Sequence, residues 1–297
     1  MGLINTLTTY CETQFNQYGE CQKCTHPSGK CSGSCLTCSE QINFHKGGRS
    51  DYDCQKFIYY YVCRYSWKYC SEIIYALEQI DLSAYPAYNI LSIGCGGAPD
   101  LMAFDEIRTA WDATELFYKG YDINPYWAPV HNTINQYVNL NKHMSSEFKN
   151  KNIFETLNEG KPSVRHYNII VLEYFLSHFL QQNVKQIGEK LFDGLIANVL
   201  PNRLDNSPFL FLINDIDHFG VRDCFDILLQ KLQNAGYHGL CIRKHFDNRK
   251  SDYNDGSIQH SSSNNKFSIP DKMKGTFNCA IACSSAQLIV EVAKNDY

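Results

Sequence analysis

Two groups of residues in this 297-residue chain have the types and spacing to do chemistry. The first is a set of cysteines. Cys21-Gln22-Lys23-Cys24 and Cys35-Leu36-Thr37-Cys38 are two C-x-x-C knuckles. Each knuckle sets two thiolates on one cation, and two knuckles complete a tetrahedron. Cys31 can replace one of the four, or join Cys11 and His26 or His45 in a second site. The intervening Pro27, Ser28, Gly29, Ser32, Gly33 and Ser34 are turn residues that bury no core, so the segment needs a cross-link to hold a shape. A closed cysteine set reads as structural zinc, because a catalytic zinc keeps an open position and uses histidine or carboxylate. The second group is the run Asn89 to Asp100, with Gly94-Cys95-Gly96-Gly97-Ala98 at its centre. An apolar strand breaks into a glycine turn and is followed by helical spacing of apolar residues. That is a cradle where a nucleoside or phosphate lies on bare backbone beside the free N–H groups of a helix start.

Composition narrows the field. Cysteine occurs 14 times, and with no signal-peptide pattern at the start the expectation is metal ligation in the cytoplasm rather than disulfides. The net charge of −4 gives no broad attraction to nucleic acid. No run of eighteen apolar residues is present, which excludes an evident helical span. Met1-Gly2 with Thr6 matches a bare acylation pattern of little weight.

The glycine turn lacks the G-x-G-x-x-G of a dinucleotide fold and the Gly-Lys-Ser/Thr of a P-loop. The hydrophobic strand followed by Gly94-Cys95-Gly96-Gly97-Ala98 resembles motif I of the class I S-adenosylmethionine-dependent methyltransferases, with Ala98 where a third glycine usually stands. Phe117 to Asn124 is a second strand ending in Asp122, roughly 25 residues past the turn, near the spacing of ribose-binding acids. The resemblance implies S-adenosylmethionine as cofactor. It implies Gly94, Cys95, Gly96, Gly97 and Asp100 at the cradle and Asp122, Ile123 and Asn124 at the ribose. It also implies Asn152 and Ile153 near the adenine, and Glu173 or Tyr174 at the end of strand four as the catalytic position. Ser92 departs from the family, which often has an acid there. Glu173-Tyr174-Phe175-Leu176 departs from the Asn-Pro-Pro-Tyr type of some amino-group methylases.

The elements that must position these residues form an α/β pattern. The expected architecture is a doubly wound, mostly parallel seven-stranded sheet over 88–297, preceded by a zinc-binding segment at 1–50 and a helix within 51–87. Phe57, Ile58, Tyr61, Tyr65, Tyr69, Ile73, Leu77 and Ile80 give the helix of 51–80 its steps of three and four, with Asp51 or Asp53 as cap. Cys54, Cys63 and Cys70 read as small packing residues on it. A helix with a mid-run Tyr and Arg leading into such a strand resembles the N-terminal helix of a set of predicted methyltransferases, and Arg64 becomes a candidate for the cofactor's carboxylate. Strands follow at 88–93, 117–122, 167–175, 209–215 and 237–246, with a short segment around 148–154. Helices follow at 99–113, 127–141, 176–190 and 221–235. Residues 247–274 read as a polar loop or lid, and 277–282 and 287–292 as closing strands. The acceptor stays open between RNA, protein and small molecule. A zinc knuckle before a methyltransferase resembles some RNA-modifying enzymes, and Arg243, Lys244, His245, Arg249 and Lys250 form a basic cluster that could hold phosphates. The non-enzyme alternative is a zinc-containing adaptor on a degenerate methyltransferase fold.

Overall fold

The strand order is β3-β2-β1-β4-β5-β8-β6-β7, so the chain reverses direction across the sheet between β1 and β4. The strands are β1 Ala87–Ile93, β2 Glu115–Asp122, β3 Met144–Asn150, β4 Ile169–Glu173, β5 Phe209–Ile216, β6 His238–His245, β7 Ile258–His260 and β8 Ser285–Ala293. This computed structural model describes residues 2–17, 34–40, 52, 54–108, 114–158, 166–205, 207–246 and 258–293. The first five strands are parallel, β8 runs antiparallel to both β5 and β6, and the three-residue β7 extends the edge. Seven strands thus make the expected mostly parallel sheet, with β7 as an addition from the polar loop. Central β4 and β5 are apolar along almost their whole length because both faces are covered.

The helices are α1 Leu3–Gln17, α2 Cys35–Glu40, α3 Gln55–Leu77, α4 Pro99–Arg108, α5 Ala128–Asn139, α6 Ile153–Asn158, α7 Val184–Asn198, α8 Phe219–Asn234 and α9 Asp271–Phe277. One core lies on the side of α1, α3, α4 and α5, and another on the side of α7 and α8. Helix α3 is buried on most of its circumference, as a helix clamped between α1, α4 and the sheet must be.

Several expectations shift. Residues 3–10, which carry little signal by pattern, belong to α1. Its Leu3, Leu7, Cys11 and Phe15 fall at four-residue steps and are buried. Cys11 is enclosed in that core. Residues 176–190 do not form one helix. A 3₁₀ turn at Leu176–Phe179 precedes α7, which starts at Asn183 as its cap. Residues 277–282 are not a strand. They hold the end of α9 and a left-handed residue, Asn278, with φ 45°. The capping candidates Asp51 and Asp53 lie outside the described residues, and α3 begins after Cys54 with no side-chain cap.

Candidate functional site

The glycine turn is built by hydrogen bonds across to β2. Gly94 and Cys95 both donate their N–H to the Tyr121 carbonyl, at 2.8 and 3.0 Å. Gly94 has φ 67°, and a Cβ there would stand 2.5 Å from Phe175 Cδ2, so only glycine fits between the turn and the residue after β4. Gly96 N–H donates to Asp122 Oδ2 at 3.0 Å, and Asn124 N–H donates to Asp122 Oδ1 at 2.8 Å. Burial raises the Asp122 proton affinity, and these two amides pull it back toward the anion. The Gly96 carbonyl is held from the other side by His131 Nε2 at 2.8 Å. Burial pushes His131 down to about 4, so it is neutral at pH 7 and donates from Nε2. Its ring stacks on Phe148 with centroids 4.0 Å apart. No sequence motif announces His131, because its partner is distant along the chain.

These residues open onto a cavity of about 450 Å³ at the C-terminal ends of β1, β2, β3 and β4, where ligands bind in such sheets. Its lining includes Gly94, Cys95, Gly96, Gly97, Asp100, Asp122, Ile123, Asn124, Asn152, Ile153, Glu173 and Tyr174 from the sequence reading. Ile123 is 70% exposed, an apolar side chain presented directly beside Asp122. Tyr52 roofs the cavity. Its ring centroid lies 5.1 Å from that of Tyr61 on α3, 5.9 Å from Trp127 past β2, and 5.9 Å from His178 past β4.

The acids of the pocket are not equally satisfied. Asp100 is 1% exposed. Tyr118 OH donates to its Oδ1 at 2.9 Å, while Oδ2 has no hydrogen-bond partner among the described residues. Burial pushes Asp100 up to about 6, against the pull of Ser92, Tyr118 and the first amides of α4. Asp100 thus brings a carboxyl to the place where Ser92 lacks one. Glu173 is 9% exposed, receives Asn214 Nδ2 at 3.3 Å on Oε1, and has no partner for Oε2 among the described residues. Burial first, then Asp100 and Glu72, raise its proton affinity well above the usual carboxylate range.

Tyr174, just past β4, is held at φ 51°, a left-handed conformation that a side-chain-bearing residue adopts at a cost. Its OH donates to Glu72 Oε2 at 2.8 Å and receives Lys68 Nζ at 2.9 Å. Its ring centroid lies 4.1 Å from that of Tyr69.

Arg64 is not in the pocket. Its Nη1 donates to Tyr60 OH at 2.8 Å, and its guanidinium lies over the Tyr60 and Tyr65 rings. Tyr61, Tyr65 and Tyr69 follow at four-residue steps on one face of α3, while Arg64 shares the neighbouring face with Tyr60, four residues earlier. The cofactor-carboxylate role expected of Arg64 is therefore corrected.

Cys35 and Cys38 sit one turn apart on α2, and both are buried. Cys21, Cys24, Cys31, His26 and His45 lie outside the described residues, and no group of three metal ligands gathers among those described. The basic cluster is turned inward. Arg243 pairs with Asp226, Lys244 Nζ donates to the Tyr75 carbonyl at 3.1 Å, and His245 Nδ1 lies 3.1 Å from Asp217 Oδ2. Arg249 and Lys250 lie outside the described residues. No described helix is long and apolar enough to cross a membrane.

No family model matches the chain, and no curated protein matches it. Solved structures align with it loosely. The plantazolicin methyltransferase BpumL in complex with SAH is 14% identical, with 76% of this chain and 84% of that chain covered and a TM-score of 0.42. A human methyltransferase 10 domain containing protein is 10% identical over 75% of this chain and 81% of that one, with a TM-score of 0.41. The METTL16 MTase domain is 9% identical over 75% and 65%, with a TM-score of 0.39. Likenesses this loose say nothing of what this chain binds.

Proposed function

We propose that the chain binds S-adenosylmethionine in this pocket and transfers its methyl group to a small acceptor. The observation that carries the reading is one cavity at the switch point that joins a bare glycine turn, a bridging acid at the end of β2 and a buried carboxyl beside the turn with one oxygen unpartnered among the described residues. The cofactor supplies an electrophilic methyl on a sulfonium, and the protein must orient the acceptor and exclude water. The residues fit the remaining parts of that molecule. Each Asp122 oxygen takes one amide and keeps a lone pair for a ribose hydroxyl. Exposed Ile123 offers an apolar face to the base, with Asn152 and Ile153 at the far rim. The unpartnered Asp100 Oδ2 offers an acceptor to the cofactor's ammonium. Tyr52, Tyr61 and Trp127 close the cavity from above.

Calorimetric titration with S-adenosylmethionine tests the reading, and absence of binding to the wild-type chain ends it. That same result would favour the alternative, a non-catalytic adaptor. Asp122→Ala is expected to weaken binding by ~1.5–3 kcal/mol, the scale of hydrogen bonds to a charged group. The described part of the basic cluster is paired internally, so the support for RNA as acceptor falls to the zinc-knuckle resemblance and to Arg249 and Lys250. Zinc remains a proposal of its own, with Cys35 and Cys38 completing a tetrahedron with Cys21 and Cys24, or with Cys31 in place of one. Elemental analysis is expected to find about one zinc per chain; freshly purified protein free of zinc and iron would overturn it.

A further inference from the structure

The half of the pocket under α3 differs from the half that the proposed cofactor occupies. With the ribose at Asp122 and the base toward residues 151–153 past β3, the opposite end of the cavity lies past β1, at the end of β4. There Glu173 Oε2 is buried and has no partner among the described residues. Aromatic side chains line the same cavity. Tyr61, Tyr69 and Tyr174 line the cavity, and their rings stand 6.2 Å and 4.1 Å apart in sequence. His178 lines the same end and is kept neutral, since burial lowers its proton affinity. The nearest ammonium, Lys68, is engaged with Tyr174 OH at 2.9 Å and lies 3.7 Å from Glu72 Oε1. Among the described residues the cavity is lined by one Lys or Arg side chain, Lys151, at the opposite rim. A buried carboxyl with an oxygen unpartnered among the described residues, in a cavity lined by aromatic rings and remote from any unengaged cation, is a site for a nitrogen that donates protons or carries positive charge.

We propose, resting on the methyl-transfer reading, that the β4 end of the pocket is the acceptor subsite and takes a small amine whose nitrogen donates to Glu173 Oε2 against the Tyr69 and Tyr174 rings. An anionic acceptor would meet Glu173 with no cation from the pocket lining at that end, and a neutral hydroxyl would leave the cation-binding faces unused. The amine arrives as an ammonium and passes one proton to the Glu173 carboxylate. The freed lone pair forms the nitrogen–carbon bond to the methyl as the carbon–sulfur bond breaks, its electron pair returning to sulfur. The nitrogen leaves carrying the positive charge that the sulfur gave up. A carboxyl of raised proton affinity suits the base in this exchange.

The test uses the full chain, alone and saturated with S-adenosylhomocysteine, titrated with phenethylamine and with its near-isosteres 2-phenylethanol and 3-phenylpropionate. The amine is expected to bind at least tenfold more tightly than either isostere. Glu173→Gln should erase that preference while changing S-adenosylhomocysteine affinity less than threefold. Its melting temperature, read alongside, reports folding. Tyr69→Leu keeps apolar bulk and should weaken the amine severalfold with little effect on the alcohol. Equal binding of the three probes, or none by the amine, overturns the amine subsite. So does a Glu173→Gln protein that loses S-adenosylhomocysteine but keeps the amine preference, since Glu173 would then serve the cofactor. Failure of the wild-type chain to bind S-adenosylhomocysteine, with the amine preference intact, sinks the methyl-transfer reading and leaves the amine site standing.

Discussion

Glu72 and Glu173 share one donor, the Asn214 amide, and are treated in opposite ways by the fold. Glu72, on α3, is 0% exposed and fully engaged. Its Oε2 accepts from Tyr174 OH and Asn214 Nδ2 at 2.8 and 3.0 Å, and its Oε1 accepts Ser284 N–H at 2.8 Å, with Lys68 3.7 Å away. Among the described residues the Glu173 carboxyl, at the end of β4, has only the long Asn214 contact of 3.3 Å. Asn214 Oδ1 in turn accepts from Ser285 and Gln287 and so fixes β5 to β8. The first carboxylate is a structural tie between helix, sheet and the Tyr174 turn. The second is held dehydrated and under-bonded against a cavity. Burial alone therefore does not tell the two acids apart; unfilled hydrogen-bonding capacity does.

The comparison is broken most directly by removing each acid. Glu72→Ala removes an acceptor from Tyr174, Asn214 and Ser284 and leaves Lys68 beside an apolar gap. It is expected to destabilise the chain by ~3–5 kcal/mol in chemical denaturation, the range for breaking a buried charged pair. Glu173→Gln removes an under-bonded buried acid and should raise the melting temperature. Equal destabilisation by the two changes would refute the contrast.

The Asp122→Ala loss of ~1.5–3 kcal/mol in cofactor affinity is next in size. It sharpens the same point. Asp122 is bonded by two amides yet still faces the pocket, so its removal should affect both the turn and the ligand. Adding saturating cofactor should therefore stabilise wild type more than the variant.

Asp100 gives a smaller effect with a defined sign in pH. Its folded proton affinity is raised from 3.8 to about 6. Below the unfolded value both states are protonated and nothing is lost. As pH rises from 3.8 to about 6 the unfolded chain ionises first, so the folded state holds more protons and stability falls. Above that window the full penalty applies. Asp100→Asn keeps an acceptor for Tyr118 and should be more stable than wild type by ~1–2 kcal/mol at pH 7, after allowance for the unmet amide. The advantage should vanish near pH 4. Cofactor affinity should fall in the same variant. A constant stability difference across pH would exclude Asp100 as the source.

Much of this frame was legible in the chain. Apolar runs bounded by glycine and acid mark β1, the turn and β2, and the aromatic steps mark α3. Helix α1 left a four-residue pattern too, but Thr6, Thr8 and Thr9 dilute its helical propensity. His131 and the unequal acids were not legible, because their meaning lies in partners contributed from elsewhere in the fold. The basic cluster misled for the same reason. Its charges are matched by Asp226 on α8 and Asp217 after β5, which the pattern of Arg243 to His245 does not reveal. Arg64 failed by helical phase, a rotation that sequence spacing does contain once the pocket-facing tyrosines are known.

The smallest expected effect concerns the two left-handed residues that flank the pocket, Ala98 at φ 55° and Tyr174 at φ 51°. Tyr174 is held there by its hydroxyl and ring contacts, so its strain serves a packed position. Ala98 stands where a glycine would adopt the same turn without penalty, and its N–H still closes the turn onto the Cys95 carbonyl at 2.7 Å. Ala98→Gly should relieve ~1–2 kcal/mol of left-handed strain. Against that stand the buried methyl, worth about 0.8 kcal/mol, and the added freedom of the unfolded chain, about 0.4–1 kcal/mol. The opposing contributions nearly cancel, so the denaturation midpoint should move little and cofactor affinity should stay within about twofold, ~0.4 kcal/mol. A clear loss of affinity would mean that the alanine holds the turn in its binding shape. The two strained residues would then both belong to the ligand site rather than one to the site and one to the packing beneath it.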